Sequence, residues 1–176
     1  VLVLMVYFFA RYQEFTRCAF VIIAAFMVYY VAFDLLPVAG PTYYYKAVGV
    51  GQIAAGVFPS VGHYFNTHTA CLTTPGYADG FFYHLVENAK AAGERPTAAF
   101  PSSHVGVSTI CMLLLWHARR RGLFYTLLPV YILLCLATVY IQAHYAIDAI
   151  AGFVTGIVLY AVLMYAIPLP AEHRRR

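Results

Sequence analysis

The run from Pro101 to Ile167 reads PSSHVGVSTICMLLLWHARRRGLFYTLLPVYILLCLATVYIQAHYAIDAIAGFVTGIVLYAVLMYAI, three apolar blocks divided first by arginines and then by a short polar turn. Leu123 to Gln142 and Ala146 to Ile167 match the ~20 residues with which an α-helix crosses a bilayer; Ser102 to His117 is shorter. Upstream, Cys18 to Leu36 is a further block of spanning length. Val1 runs apolar into Arg11 over about half a span, so the chain is expected to begin inside a helix. A signal peptide is the competing reading, but neither a basic leader nor a small-residue cleavage site supports it. The expected fold is an all-α, polytopic membrane helical bundle, with about five spans in this chain and six in a full protein. Residues 1–176 should form one membrane-embedded domain.

Composition points the same way. Hydrophobic residues make up 62% of the 176 and charged residues 10%, with a mean hydropathy of +0.73. That leaves too little polar surface to cover a water-soluble globule. The net charge of +4 does not indicate nucleic acid, because the basic residues cluster at span ends. Of four cysteines, Cys18, Cys111 and Cys135 lie in or beside predicted spans and Cys71 in a loop, so no disulfide framework follows. No repeat of fixed period is present.

The arginines orient the bundle. Arg11 and Arg17 flank one connection, Arg119, Arg120 and Arg121 fill another, and Arg174, Arg175 and Arg176 end the chain. With alternating spans all of these fall on one side, which the positive-inside rule makes cytoplasmic. Residues 37–101 then lie outside, with Lys46, Lys90 and Arg95. So long a segment should carry structure of its own. Residues 44–56 are apolar and glycine-punctuated but too short to cross, which suggests a re-entrant or interfacial piece. Asp79 is the expected cap of a helix containing Phe81, Phe82, Leu85 and Val86 and stopping at Gly93. Tyr43, Tyr44 and Tyr45 suit the headgroup belt. Gly152 and Gly156 form a small-xxx-small pair fit for close helix packing, or are chance glycines in an apolar run.

Ionisable groups at membrane depth are costly, so each is a candidate functional residue. Here they are Asp34, His104, His144 and Asp148, near the outer ends of spans. His144 and Asp148 share a helix face, where a carboxylate can hold one ring nitrogen and leave the other as a nucleophile or base; a structural hydrogen bond reads equally well. Phe100-Pro101-Ser102-Ser103-His104-Val105-Gly106 opens a span. Its proline, capping serines and free amides suit an anion, though an ordinary helix start has the same look. Span reversal at the arginines returns His144 to the face that holds His104. Arg95, just upstream, is a planar fork for phosphate or simply a solvated side chain. His63, His68 and Cys71 are three ligand types in a loop, a spacing not specific to a metal. Pro59 to His63 imitates the serine-histidine motif but begins no span.

Together these residues resemble the type 2 phosphatidic acid phosphatase superfamily. Pro101-Ser102-Ser103-His104 is similar to its P-S-G-H motif, and His144 with Asp148 to the H-x-x-x-D that ends its third motif. The resemblance implies a six-helix core with catalytic His104, His144 and Asp148: a phosphohistidine-forming nucleophile at His144, an orienting carboxylate at Asp148 and an acid at His104. Lys90 and Arg95-Pro96 approximate the first motif two residues short, so Lys90 and Arg95, with Ser102 and Ser103, are the phosphate-binding candidates. Ala137-Thr138 stands where the family has Ser-Arg. That departure, with His144-Tyr145 and the prolines at Pro37 and Pro41, looks more like the branch of inositol phosphorylceramide and sphingomyelin synthases. The specific likeness covers about residues 95–152.

The expected activity is hydrolysis of a phosphomonoester on a membrane lipid at the non-cytoplasmic face. The alternatives are transfer of a phosphoryl headgroup to an alcohol, and a non-catalytic lipid transporter or scramblase. Fixed amides and a guanidinium would stabilise the charge, so no metal or other cofactor is expected. The expected partners are a lipid phosphate and the surrounding membrane lipids, in a bacterial inner membrane by preference.

Overall fold

The computed structural model describes residues 12–93 and 95–166. The apolar start at Val1, Arg11 and the terminal arginines lie outside the described residues. Those that are described form α1 (Tyr12–Leu35), α2 (Pro41–Val48), α3 (Val50–Ala54), a 3-10 turn (Tyr64–Asn66), α4 (Phe81–Gly93), α5 (Ser103–His117), α6 (Arg121–Tyr140) and α7 (Ala146–Ala161). A π turn, Val162–Ala166, extends α7. Among the described residues no β-strand forms; one parallel bridge joins Val38 to Ala98.

Among the described residues three stretches are long and apolar enough to cross a membrane: Phe15–Leu35, Arg121–Tyr140 and Ala146–Tyr165. The protein is therefore all-helical with membrane-length elements, as the sequence predicts. The shorter α5 occupies the centre, with nine of its fifteen residues buried. It packs on α1, α6 and α7. On α6 Thr138 is the one fully buried side chain, and Leu133, Leu136 and Tyr140 point outward, so its surface is solvated by lipid. The core joins Val21, Ala25 and Tyr29 of α1 to Ile110, Leu114 and Leu115 of α5 and Met164 of the π turn.

Glycine sets how closely α5 and α7 approach. A methyl on Gly156 would stand 2.6 Å from the Gly106 carbonyl oxygen, and one on Gly152 would overlap the Ser102 carbonyl. A side chain at Gly106 would overlap the Tyr29 hydroxyl, which lies 2.9 Å from Thr155 Oγ1. The small-xxx-small pair is thus a helix contact, close enough for backbone to touch backbone.

Two sequence expectations need correction. Helix α1 is already helical at Tyr12, upstream of the apolar block that opens at Cys18, and no glycine or proline interrupts residues 12–17. Arg17 therefore sits on the helix, and its guanidinium reaches the Met164 carbonyl. At α4 the Gly80 carbonyl accepts the His84 N–H, so Gly80 and not Asp79 holds the cap position. The described helix runs to Gly93, with Phe81 and Phe82 75% and 77% exposed. Residues 44–56 are not one continuous helix. Gly49, at φ +93°, breaks them into α2 and α3.

The 37–101 segment is pinned to the end of the bundle where α5 and α7 begin. Gly40 N–H donates to Pro96 O (3.0 Å), Thr42 N–H to Gln142 O (3.3 Å) and Ala99 N–H to Val38 O (3.1 Å). These bonds hold residues 95–99 across the helix starts.

Candidate active site

Two helix N-termini meet at this end. Ser102 caps α5, its Oγ accepting the Val105 N–H at 3.4 Å, and its own N–H donates to the Asp148 carbonyl at 3.0 Å. Asp148 is the third residue of α7 and its carboxylate accepts the Tyr145 N–H at 2.8 Å. The serine-histidine and histidine-aspartate motifs are thereby locked in register by backbone.

His144 lies in the turn between α6 and α7, 5% exposed. Its main-chain N–H donates to Thr138 O at 3.1 Å, and its Nδ1–H donates to the Ala99 carbonyl at 2.8 Å. With the proton on Nδ1, Nε2 carries the lone pair, and it faces His104 Nδ1 at 3.4 Å. Burial is the main cause that drives the His144 pKa down to about 4. The Ala99 bond opposes the shift and the His104 ring beside it adds to it. The imidazole is neutral at pH 7, the form in which nitrogen is nucleophilic.

Asp148 acts differently from the expectation. Its carboxylate is 4.0 Å from His144 Nδ1, within ion-pair range but outside hydrogen-bond range. The ring nitrogen is held by the Ala99 carbonyl, while the Asp148 carboxylate caps α7. No sequence pattern marks a backbone carbonyl, so Ala99 could not be read in advance.

A cavity of about 470 Å³ opens beside the pair, lined in part by Ser103, His104, His144, Arg95 and Asp34. Among the described residues, the Ser103 and His104 amides have no main-chain acceptor, as at any helix start. Ser103 and Arg95 thus reach the cavity as expected. Ser102 does not: it is fully buried and engaged as the cap. Nor does Lys90, whose ammonium donates to Leu72 O, Thr74 Oγ1 and Glu87 Oε1 at 3.0, 3.1 and 3.0 Å. Three bonds within the outer segment use all three of its protons. In that cluster burial opposes ionisation of Glu87, but the Thr74 and Lys90 hydrogen bonds outweigh it and hold the carboxyl below its ordinary pKa.

His63, His68 and Cys71 do not converge, and no group of metal-ligating side chains gathers among the described residues. His68 instead stacks on Tyr64 with ring centroids 4.1 Å apart. None of the four cysteines forms a disulfide.

The sequence model of the PAP2 superfamily matches residues 1–162, which takes in both histidines and the aspartate. The chain belongs to the PAP2 superfamily. No curated protein and no solved structure matches it. Membership gives the cavity its chemical context, phosphatase-like reaction at lipid phosphates, and with the membrane-length helices it makes this a membrane protein. The junction of α5 and α7, with both histidines and Asp148, lies within the matched residues.

Proposed function

We propose that this PAP2 protein cleaves a phosphomonoester of a membrane lipid through a phosphohistidine on His144. The observation that carries the reading is the buried, neutral imidazole whose free Nε2 faces His104 at 3.4 Å. In the first step Nε2 attacks phosphorus, the N–P bond forms and the P–O ester bond breaks. His104, entering protonated, gives its proton to the departing lipid oxygen. In the second step His104 takes a proton from water, whose oxygen attacks phosphorus. The N–P bond breaks and phosphate leaves. The open amides of Ser103 and His104, with Arg95, stabilise the charge on the phosphoryl oxygens. Metal independence follows from this assignment of charge.

Thr138 favours a second reading, transfer of a phosphoryl headgroup to an alcohol as in inositol phosphorylceramide and sphingomyelin synthases. Its buried side chain bonds Cys135 O at 2.9 Å and its carbonyl holds the His144 amide, so no cation serves phosphate from that position.

The test is phosphate release from phosphatidic acid and phosphatidylglycerol phosphate by detergent-purified protein in excess chelator, beside His144→Ala. Release abolished by the substitution supports hydrolysis. Release only upon removal of chelator refutes metal independence. Headgroup exchange with added alcohols and no free phosphate supports transfer, and no reaction of either kind refutes phosphoryl chemistry.

The arginine distribution supports a multi-pass arrangement with the site at the non-cytoplasmic face. Half-buried Cys71, in the outer segment, is the natural reporter. A membrane-impermeant maleimide should label it from that face without permeabilisation, and labelling only after permeabilisation reverses the orientation.

A further inference from the structure

The cavity holds a charged group that the phosphoryl-transfer scheme leaves idle. Asp34, near the end of α1, lines it with Tyr30, Phe33 and Tyr43, and Arg95, Thr97, Ala98 and Ala99 of the outer segment line the same cavity. Among the described residues around this cavity Asp34 is the one carboxylate and Arg95 the one permanent cation. Asp34 is exposed and makes no ion pair among the described residues. Tyr30 and Phe33 meet edge to face with centroids 6.3 Å apart.

A carboxylate is a poor neighbour for a bare phosphomonoester, which brings up to two negative charges where Asp34 already offsets Arg95. It suits a group that donates hydrogen bonds. An ammonium gains Coulomb attraction and the faces of nearby aromatic rings. A polyol gains hydrogen bonds to an ionised acceptor, stronger than bonds between neutral groups. In both cases the phosphate takes the Arg95 and histidine side while the donor takes the Asp34 side.

We propose that Asp34 is a specificity-determining residue that reads a hydrogen-bond-donating headgroup on the lipid phosphate, so that the cavity prefers a headgroup-bearing phosphodiester to a bare phosphomonoester. The inference rests on the phosphoryl-transfer reading of the same site and favours its headgroup-transfer form.

Binding tests it apart from turnover. The protein is prepared as His144→Ala in lipid nanodiscs, with and without Asp34→Ala or Asp34→Asn, and titrated with tail-matched short-chain phosphatidylethanolamine, phosphatidylinositol and phosphatidic acid. With Asp34 present, the amine or the polyol lipid should bind about tenfold or more tighter than phosphatidic acid. Asp34→Ala should erase the preference and leave phosphatidic acid binding equal or stronger. The two headgroup lipids separate the donors, since Asp34→Asn removes attraction to an ammonium but keeps an acceptor for hydroxyls. Equal binding of all three lipids, or a preference that Asp34→Ala retains, overturns the assignment. Loss of turnover evidence in the wild-type protein would remove the phosphohistidine scheme without altering these binding ratios.

Discussion

Replacing Gly156 by alanine tests whether helix packing sets the catalytic geometry. The added methyl would stand 2.6 Å from the Gly106 oxygen and 3.1 Å from its Cα, and ordinary contact begins at 3.4 Å. The shortfall to the oxygen is about 0.8 Å, and both obstructing atoms are backbone, so rotamer changes on α5 cannot relieve it. The helices must separate or slide by most of that distance. His104 lies half a turn before Gly106 on α5, and His144 just before α7, so the displacement reaches the 3.4 Å gap between their nitrogens. Misplacement near 1 Å costs up to about 100-fold in rate, and overpacking a tight contact costs about 1–3 kcal/mol of stability. The expected result is kcat lower by roughly 10- to 100-fold with a reduced melting temperature. Gly51→Ala and Gly122→Ala, where a methyl meets nothing within 4 Å, should do neither. The assay is lipid phosphate turnover beside thermal unfolding in the same detergent. A Gly156→Ala protein with wild-type kcat and wild-type melting temperature would refute the claim that this contact fixes the site.

Asp148→Asn should lower kcat by about 10- to 100-fold and leave far more activity than His144→Ala, because the Ala99 carbonyl still holds Nδ1; equal loss in both variants would return the orienting role to the carboxylate. The pH profile of kcat/KM should keep its acid limb near pH 4, where His144 takes a proton, with an alkaline limb from loss of the His104 proton; an acid limb at the ordinary imidazole value of 6.5 would contradict the buried environment. Because the unfolded chain binds this proton below about 6.5 and the folded one only below about 4, stability should also fall as pH drops through that window. Lys90→Met should cost about 1–3 kcal/mol of stability with KM unchanged, whereas Arg95→Met should raise KM for lipid phosphate with stability unchanged; the reverse pattern would restore Lys90 to the phosphate.

Much of the bundle is legible in the sequence because membrane helices write themselves as long apolar runs. The pairing of the α5 and α7 motifs is legible for a topological reason: one reversal at the arginines must return His144 to the depth of His104. The limits are equally physical. Periodicity says where a helix is apolar, and it does not say that α1 is already helical from Tyr12 to Arg17, because polar side chains are compatible with helix. Lys90 resembles a phosphate ligand by spacing, but spacing cannot reveal that Leu72, Thr74 and Glu87 fold around its ammonium. Ser102 and Ser103 are equivalent as letters. Burial separates them, giving one to the cap and the other to the cavity.

The division of labour around Asp148 follows from where it sits. As the third residue of α7, its carboxylate lies among unpaired amides and binds the Tyr145 N–H in preference to the more distant imidazole. The main-chain carbonyl of Asp148 at the same time holds the Ser102 N–H, so one residue fixes the start of both site helices. The tautomer of His144 is then set by Ala99, whose own position depends on the bond from its N–H to Val38. Orientation of the proposed nucleophile therefore runs through the outer segment as well as the bundle. A substitution that loosens residues 38–40, far from the phosphate, should lower kcat by freeing the Ala99 carbonyl while leaving helix stability largely intact. Val38→Pro keeps the carbonyl that Ala99 uses but removes the neighbouring N–H and restricts the backbone, so it tests the path directly. A loss of kcat, with the acid limb of the pH profile moved, would place the outer segment in the catalytic geometry, and an unchanged profile would confine that geometry to the bundle.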